Sequence, residues 1–201
     1  MVRELSCQWQ ILIVLQIISL SSQLSHEFVP EKDDLFSDCP DKPGFETVDK
    51  IADLSQLIRK KNKNGGTDIH GNITMKWDVQ PGDRVATDVT IYKLEKGVWK
   101  PTVFKGSDKD FCKSFYDKNT IYYPYSTKHV INKEEVKDKC INIPGTVLDV
   151  EPFHLKILIS YAVPLTEGRH KAQILFTAFD KGNVKRPDEI CLEIVGDFKK
   201  A

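Results

Sequence analysis

"NITMKWDVQPGDRVATDVTIYKL", residues 72–94, decides the fold class. In its first part Ile73, Met75, Trp77 and Val79 alternate with Asn72, Thr74, Lys76 and Asp78. A period of two puts the apolar set on one face and the polar set on the other, which predicts a half-buried strand. "QPGD" then supplies a turn, with Pro81 presetting its own backbone angle and Gly82 accepting a positive one. The next strand carries Val85, Val89 and Ile91 on one face before the apolar parity shifts to Tyr92 and Leu94, as a β-bulge makes it do. "EKG" turns the chain into "VWKPTVF", where Pro101 cannot donate to a ladder and predicts an edge strand.

The pattern continues toward the C-terminus. "FHLKILISY" (153–161) alternates Phe153, Leu155, Ile157, Ile159 and Tyr161 as one strand. "HKAQILFTAF" carries Ala172, Ile174, Phe176 and Ala178, "DKGN" (180–183) is a turn, and "EICLEIV" sets Ile190, Leu192 and Ile194 against Glu189, Cys191 and Glu193. Short strands separated by Pro/Gly turns predict an all-β protein, an antiparallel sandwich or open cup, with no internal repeat. Two short helices interrupt the strands. One follows a capping pair of Ser107 and Asp110; the other is capped by Asn132 with Glu135 reaching back and Ile131 stapled to Val136.

The N-terminal part is less regular. Arg3, the apolar run "QILIVLQIISL" and small residues at Ser19, Ser21, Ser22 and Ser25 read as a signal peptide over residues 1–25, since a bilayer span needs about twenty apolar residues. Residues 26–201 then form a single domain, a soluble protein of the secretory route. Of the five cysteines, Cys7 leaves with the leader. Cys39, Cys112, Cys140 and Cys191 make an even set, which in an oxidising compartment reads as two disulfides with three possible pairings. No C-x-x-C pair and no ligand spacing around the histidines argue for a metal site, and no cofactor is expected. Zero formal net charge gives no electrostatic case for nucleic acid. Residues 48–58 fit both a helical and an alternating period. The run from Arg59 to Gly66 reads as an exposed loop, a membrane-surface contact being the alternative. Asn72-Ile73-Thr74 is a glycosylation sequon with Asn72 on the polar face.

Residues 111–125, "FCKSFYDKNTIYYPY", hold six aromatic rings: Phe111, Phe115, Tyr116, Tyr122, Tyr123 and Tyr125. Phe111 and Phe115, one helical turn apart, fit a core. The tyrosines crowd around Pro124 without a period, and amphipathic rings on an irregular segment suit a ligand mouth or a lipid–water boundary. Lys128-His129 directly after them is a surface pair or, more sharply, a headgroup contact. No G-x-S-x-G elbow exists, because Gly106-Ser107-Asp108 lacks the second glycine, and the carboxylates scatter over polar faces. An enzyme is not expected.

The ordered set "GNITMKWDV", "GVWKPTVF", "DFC", "CINIPGTV", "LTEGRHKAQILFTAFD" and "ICLEIVGDF" resembles the ganglioside-activator branch of the ML lipid-recognition superfamily, and within it the insect chemosensory proteins of the B type. The match covers residues 69–198 well and 39–68 poorly. The resemblance implies two antiparallel sheets around a hydrophobic cavity that holds an acyl or hydrocarbon chain without chemistry. It implies Cys39 paired with Cys191 and Cys112 with Cys140. The further bridges that the ganglioside activator has between these last two have no cysteines here. The candidate cavity rim and wall are therefore Trp77, Phe111, Phe115, Tyr116, Tyr122, Tyr123, Tyr125 and His129. The expected function is that of a secreted, monomeric carrier or presenter of a lipid, long-chain hydrocarbon or pheromone, meeting a membrane surface or receptor. The alternative is an adhesion or receptor-binding sandwich with a filled core.

Overall fold

The computed structural model describes residues 25–32, 34–63, 65–160 and 166–201, so the residues read as a signal peptide, Ser25 excepted, and Tyr161 lie outside the described residues. Two antiparallel sheets make the fold. The larger one joins β1 (Ser25–Pro30), β5 (Arg84–Glu95), β6 (Val98–Asp108), β8 (Ile157–Ser160), β9 (Gly168–Phe179) and β10 (Ile190–Lys200) in the order β6-β5-β9-β10-β1-β8. In the smaller one β4 (Thr67–Met75) pairs with β2 (Ala52–Asp53), β3 (Leu57–Lys61) and β7 (Val147–Leu155).

The alternation at residues 72–79 predicts the right face. Met75, Trp77 and Val79 are buried while Asn72, Lys76 and Asp78 are exposed. The strand itself starts earlier, at Thr67, and its ladder stops at Met75. Asp83 N–H donates to the Gln80 carbonyl (2.8 Å), closing the predicted turn, although Gly82 does not use a positive φ there. At the next turn Lys96 and Gly97 both do, at 50° and 81°, the two-residue hairpin geometry whose twist matches its strands. Pro101 sits on the outermost strand, as expected.

Several expectations need correcting. Residues 153–161 are not one strand: β7 belongs to the smaller sheet and β8 to the larger, so the chain crosses between the sheets at Lys156. The irregularity near Ile91 lies in β6, because β5 keeps one unbroken register with β9 while its pairing with β6 slips between Thr90 and Tyr92. There Thr102 Oγ1 donates to the Ile91 carbonyl (2.8 Å), occupying an acceptor that the slipped ladder leaves open. The basic residues Arg59 to Lys61 are in β3 and not in a loop. Residues 48–58 resolve into one helical turn, α1 (Val48–Ile51), followed by β2.

Both predicted helices exist, as α2 (Phe111–Ser114) and α3 (Lys133–Val136), but neither uses its predicted cap. Ser107 is inside β6, and Asp108 instead accepts from the Asp110 N–H (2.9 Å) and the Ser114 hydroxyl. Asn132 spends its side chain on β7, donating to the Val147 carbonyl (2.9 Å) and accepting from the Asp149 N–H (3.0 Å). Ile131 is exposed, so no staple to buried Val136 forms.

Cys39 is bonded to Cys191 and Cys112 to Cys140, the pairing that the resemblance implies. The first bridge ties the segment after β1 to the outer face of the large sheet, where Ser37 and Glu193 exchange backbone hydrogen bonds of 2.8 Å. Beneath it Lys171 donates to Glu193 (2.5 Å), Gln173 donates to the same oxygen (2.9 Å), and Asp41 faces both donors. Buried charge is tolerated there because each member has a partner.

Candidate ligand-binding site between the sheets

The inner face of the large sheet follows from its register. Phe28 of β1 faces Phe198 of β10 and Ile157 of β8, Ile194 of β10 faces Ala172 of β9, and Ala172 faces Ile91 of β5. Two groups of buried side chains occupy this continuous apolar face, and they do not merge. At one end Phe176, Ala178, Val85, Ile190 and Leu192 pack with Met75 and Leu148 of the smaller sheet and with Trp77 just past β4. At the other, Phe28 meets Phe198 (centroids 5.0 Å apart). Between and around them Ile91, Phe104, Ile157, Ile159, Ile174 and Ile194 are only half-buried, although all are apolar. Apolar residues that point inward and still keep accessible surface are what a sandwich shows where its interior is thinly filled.

The segment between Cys112 and Cys140 closes the well-packed end. Phe111 meets Phe176 edge-on (5.5 Å, 83°) and Phe115 stands 5.1 Å from Phe111, so the cap is anchored by its phenylalanines. Trp77, Phe111 and Phe115 are core side chains and not rim ones, at 0%, 9% and 9% exposure. Tyr116 and Tyr122 pack against the same core. The Tyr122 hydroxyl lies 3.0 Å from Ser114 Oγ, and burial pushes its phenol up. Burial drives the Tyr116 phenol up to about 12.

Tyr123, Tyr125 and His129 do something different: Tyr125 and His129 fasten the cap along the corner where the chain changes sheets, and Tyr123 braces the cap from within. They sit in two consecutive 3-10 turns, Tyr123–Tyr125 and Thr127–His129. Tyr125 OH donates to the Leu158 carbonyl (2.5 Å) on edge strand β8, and the Tyr123 hydroxyl accepts from Lys133 (3.2 Å). The His129 ring stacks on Phe153 of β7 (3.8 Å, 5°) with its two nitrogens 2.9 Å from Glu151 Oε1 and 3.1 Å from the Pro124 carbonyl. Both of those oxygens are acceptors, so the doubly protonated ring satisfies both and the neutral ring one. The candidate residues are thus brought together on one cap, but in two roles, core anchor and corner fastening.

Two surface hollows lie elsewhere. One, of about 330 Å³, is on the outer face between Glu31, Asp34, Asp38, Trp99, Arg169 and Glu193. The other, of about 420 Å³, borders the Cys112–Cys140 bridge beside Asp83, Arg84, Lys113 and Lys139. Charged groups line both, and none of the eight candidate residues lines either. Sequence reasoning missed β1, whose His26, Phe28 and Pro30 alternate inward. The signal was present as a period of two, obscured by a neighbouring charged stretch.

No group of three or more histidine, cysteine or carboxylate side chains suited to a metal occurs among the described residues. No helix among them is long and apolar enough to cross a membrane. No protein-family model matches this sequence, and no curated protein matches it. Fold and site together describe a disulfide-tethered, two-sheet β protein with a capped end and a stretch of half-buried apolar side chains on its large sheet.

Proposed function

We propose that the protein is an extracellular, non-enzymatic carrier or presenter of a hydrophobic ligand, a lipid or long-chain hydrocarbon, received between the two sheets. One observation supports it above the others: the inward-facing Ile91, Phe104, Ile157, Ile159 and Ile194 are half-buried on a sheet face whose two ends are packed. Affinity in such a site comes from apolar area at about 25 cal/mol per Å², before the entropy of association is subtracted. The two disulfides favour an oxidising compartment, and the leader-like residues 1–25 favour secretion with Asn72 glycosylated. The resemblance of residues 69–198 to ML lipid-recognition proteins points the same way, and the chemosensory setting is the particular case it suggests.

Organic extraction of protein purified from eukaryotic secretion, followed by lipid mass spectrometry and by titration of the stripped protein with a fluorescent C16 fatty acid, tests the proposal. Stoichiometric extracted ligand or saturable probe uptake is expected. Neither ligand nor uptake would leave the filled-core adhesion module as the better description.

A further inference from the structure

The two disulfides differ in what surrounds them. Cys39–Cys191 lies where the segment after β1 covers the large sheet, with Cys39 buried and Cys191 only 1% exposed. The outer-face hollow is lined by Asp38 and Pro40, on either side of Cys39, but by neither cysteine of that bridge. Cys112–Cys140 is placed otherwise: both of its cysteines line the hollow of about 420 Å³, and Cys112 is half-buried where its partner is buried. The same hollow carries Arg84, Lys113, Lys137 and Lys139 against Asp83, Asp110 and Asp138. Asp83 is held by Arg186 (2.8 Å), Asp110 by Lys113 (2.7 Å), and Lys137 by Glu134 (2.6 Å). Lys139 and Asp138 make no ion pair among the described residues. Arg84 bonds neutral groups there, the Lys109 carbonyl and Asn183 Oδ1, so its charge tips the lining positive. Thiol–disulfide exchange needs a thiolate to reach one sulfur while the other leaves as a thiolate, and nearby cations favour both ions.

We infer that Cys112–Cys140 is an exchangeable bridge, opened from this hollow by a small anionic thiol of the glutathione class while Cys39–Cys191 stays closed. The thiolate attacks Cys112 Sγ and forms a mixed disulfide with it. The Cys112–Cys140 bond breaks, and its electron pair leaves on Cys140 Sγ, which takes up a proton. A second thiolate attacks the sulfur of the bound thiol, releasing the thiol's own disulfide and Cys112 as a thiolate that is protonated in turn. Two thiols are thereby oxidised to one disulfide and the bridge is reduced to two cysteines. The cap is then held by non-covalent contacts such as Phe111 on Phe176. The consequence for a ligand rests on the carrier reading: release is faster in thiol-rich surroundings than in oxidising ones.

Incubating the oxidised full-length protein with reduced glutathione in native buffer, quenching with N-ethylmaleimide and mapping the labelled peptides by mass tests the inference. Cys112 and Cys140 should be labelled about tenfold faster than Cys39 and Cys191, with a transient glutathione adduct on Cys112. Labelling of all four cysteines at one rate, of Cys39 and Cys191 first, or of none without denaturant overturns it. Added salt should slow glutathione more than the uncharged thiol 2-mercaptoethanol, and equal slowing overturns the choice of an anionic thiol. A fluorescent C16 probe loaded beforehand reports the consequence. Glutathione should speed its release from the parent and leave release from Cys112→Ala with Cys140→Ala unchanged. Opening of the bridge without faster release overturns its control of the ligand. If no probe binds at all, the carrier reading fails, and the labelling still decides the bridge.

Discussion

The Phe111 ring meets the Phe176 ring edge-on, at 5.5 Å and 83°, and this contact seats the Cys112–Cys140 cap on the large sheet. The aromatic side chains of the cap separate by what they touch. Phe111 and Phe115 are buried in the shared core, whereas Tyr123 and Tyr125 are half-buried, Tyr123 bonded to Lys133 within the cap and Tyr125 reaching β8. Phe115→Ala should cost about 3–5 kcal/mol by leaving a cavity. Tyr125→Phe should cost about 1 kcal/mol or less, since it loses one hydrogen bond at a partly wet site. Urea unfolding of both variants checks the split, and equal losses would mean that the tyrosine, too, is core.

Lys171 and Glu193 hold each other at 2.5 Å with side chains 3% and 5% exposed. Lys171 also lies over the Tyr92 and Trp99 rings, 5.3 and 5.4 Å from their centroids. Removing Glu193 leaves the buried Lys171 with only the half-exposed Asp41, 3.3 Å away, so Glu193→Leu alone should destabilise toward the low end of about 3–5 kcal/mol. Replacing both, as Lys171→Met with Glu193→Leu, should recover most of that loss. A double-mutant cycle in urea measures it, and additive losses would show that the two side chains do not act as a pair.

The alternation of residues 72–79 made a sheet face legible because its other face is wet. That of 189–195 did so although Cys191 and Glu193 are buried too, because the outer face is covered by the Cys39 segment and keeps polar partners there. Alternation misled at 153–161, where it runs without a break through Lys156 although the chain passes from one sheet to the other. Periodicity reports which way side chains point and carries no information about which neighbour a strand pairs with. The cap residues were legible as a group from their aromatic density. Their division into anchors and fastenings was not, since it depends on Phe176 and Phe153, each tens of residues away in sequence and brought close by the topology. The half-burial of Ile91, Ile157 and Ile194 likewise depends on what stands opposite them in the fold, which residue types alone do not set.

Asn72 is exposed on β4, opposite Asp149 of β7. Protein secreted from a eukaryotic host should lose mass on treatment with an N-glycosidase, and Asn72→Gln should abolish the shift. Because the side chain points away from the core, the same substitution should change unfolding stability by no more than about 0.5 kcal/mol. A larger loss would place Asn72 in a structural role.

His170 gives the fold a pH dependence whose sign is fixed. Burial holds its imidazole below the ordinary histidine range, with the Gly168 carbonyl, 2.8 Å from Nδ1, acting in the opposite sense. The unfolded chain takes up a proton near pH 6.5, before the folded protein does. This group's contribution is therefore fully present above about pH 6.5 and is lost as pH falls through the lower folded value. His170→Phe, which keeps a ring beside Phe198, should flatten the decline in urea midpoint between pH 7 and pH 5. Parallel curves for parent and variant would assign that decline to other groups.

The last prediction concerns the bridge that tethers the cap. Cys112 and Cys140 are 28 residues apart, so their disulfide restricts the unfolded chain by about 3–4 kcal/mol in the loop-entropy treatment. Cys112→Ala with Cys140→Ala should lower stability by that order. It should also speed the release of a bound C16 probe, because the cap then holds its closed position through non-covalent contacts alone, among them the Phe111–Phe176 contact, the Tyr125–Leu158 hydrogen bond, the Asn132 bonds to β7 and the His129 stack. Stopped-flow release should accelerate by about tenfold, the usual scale on which altered contacts appear in dissociation rates. Removing the other bridge, Cys39 with Cys191, separates stability from gating: that bridge lies on the outer face of the sheet, so its loss should destabilise the protein and leave probe release within about twofold of the parent. If both pairs of substitutions accelerate release equally, the cap has no special control of the interior and release follows global opening.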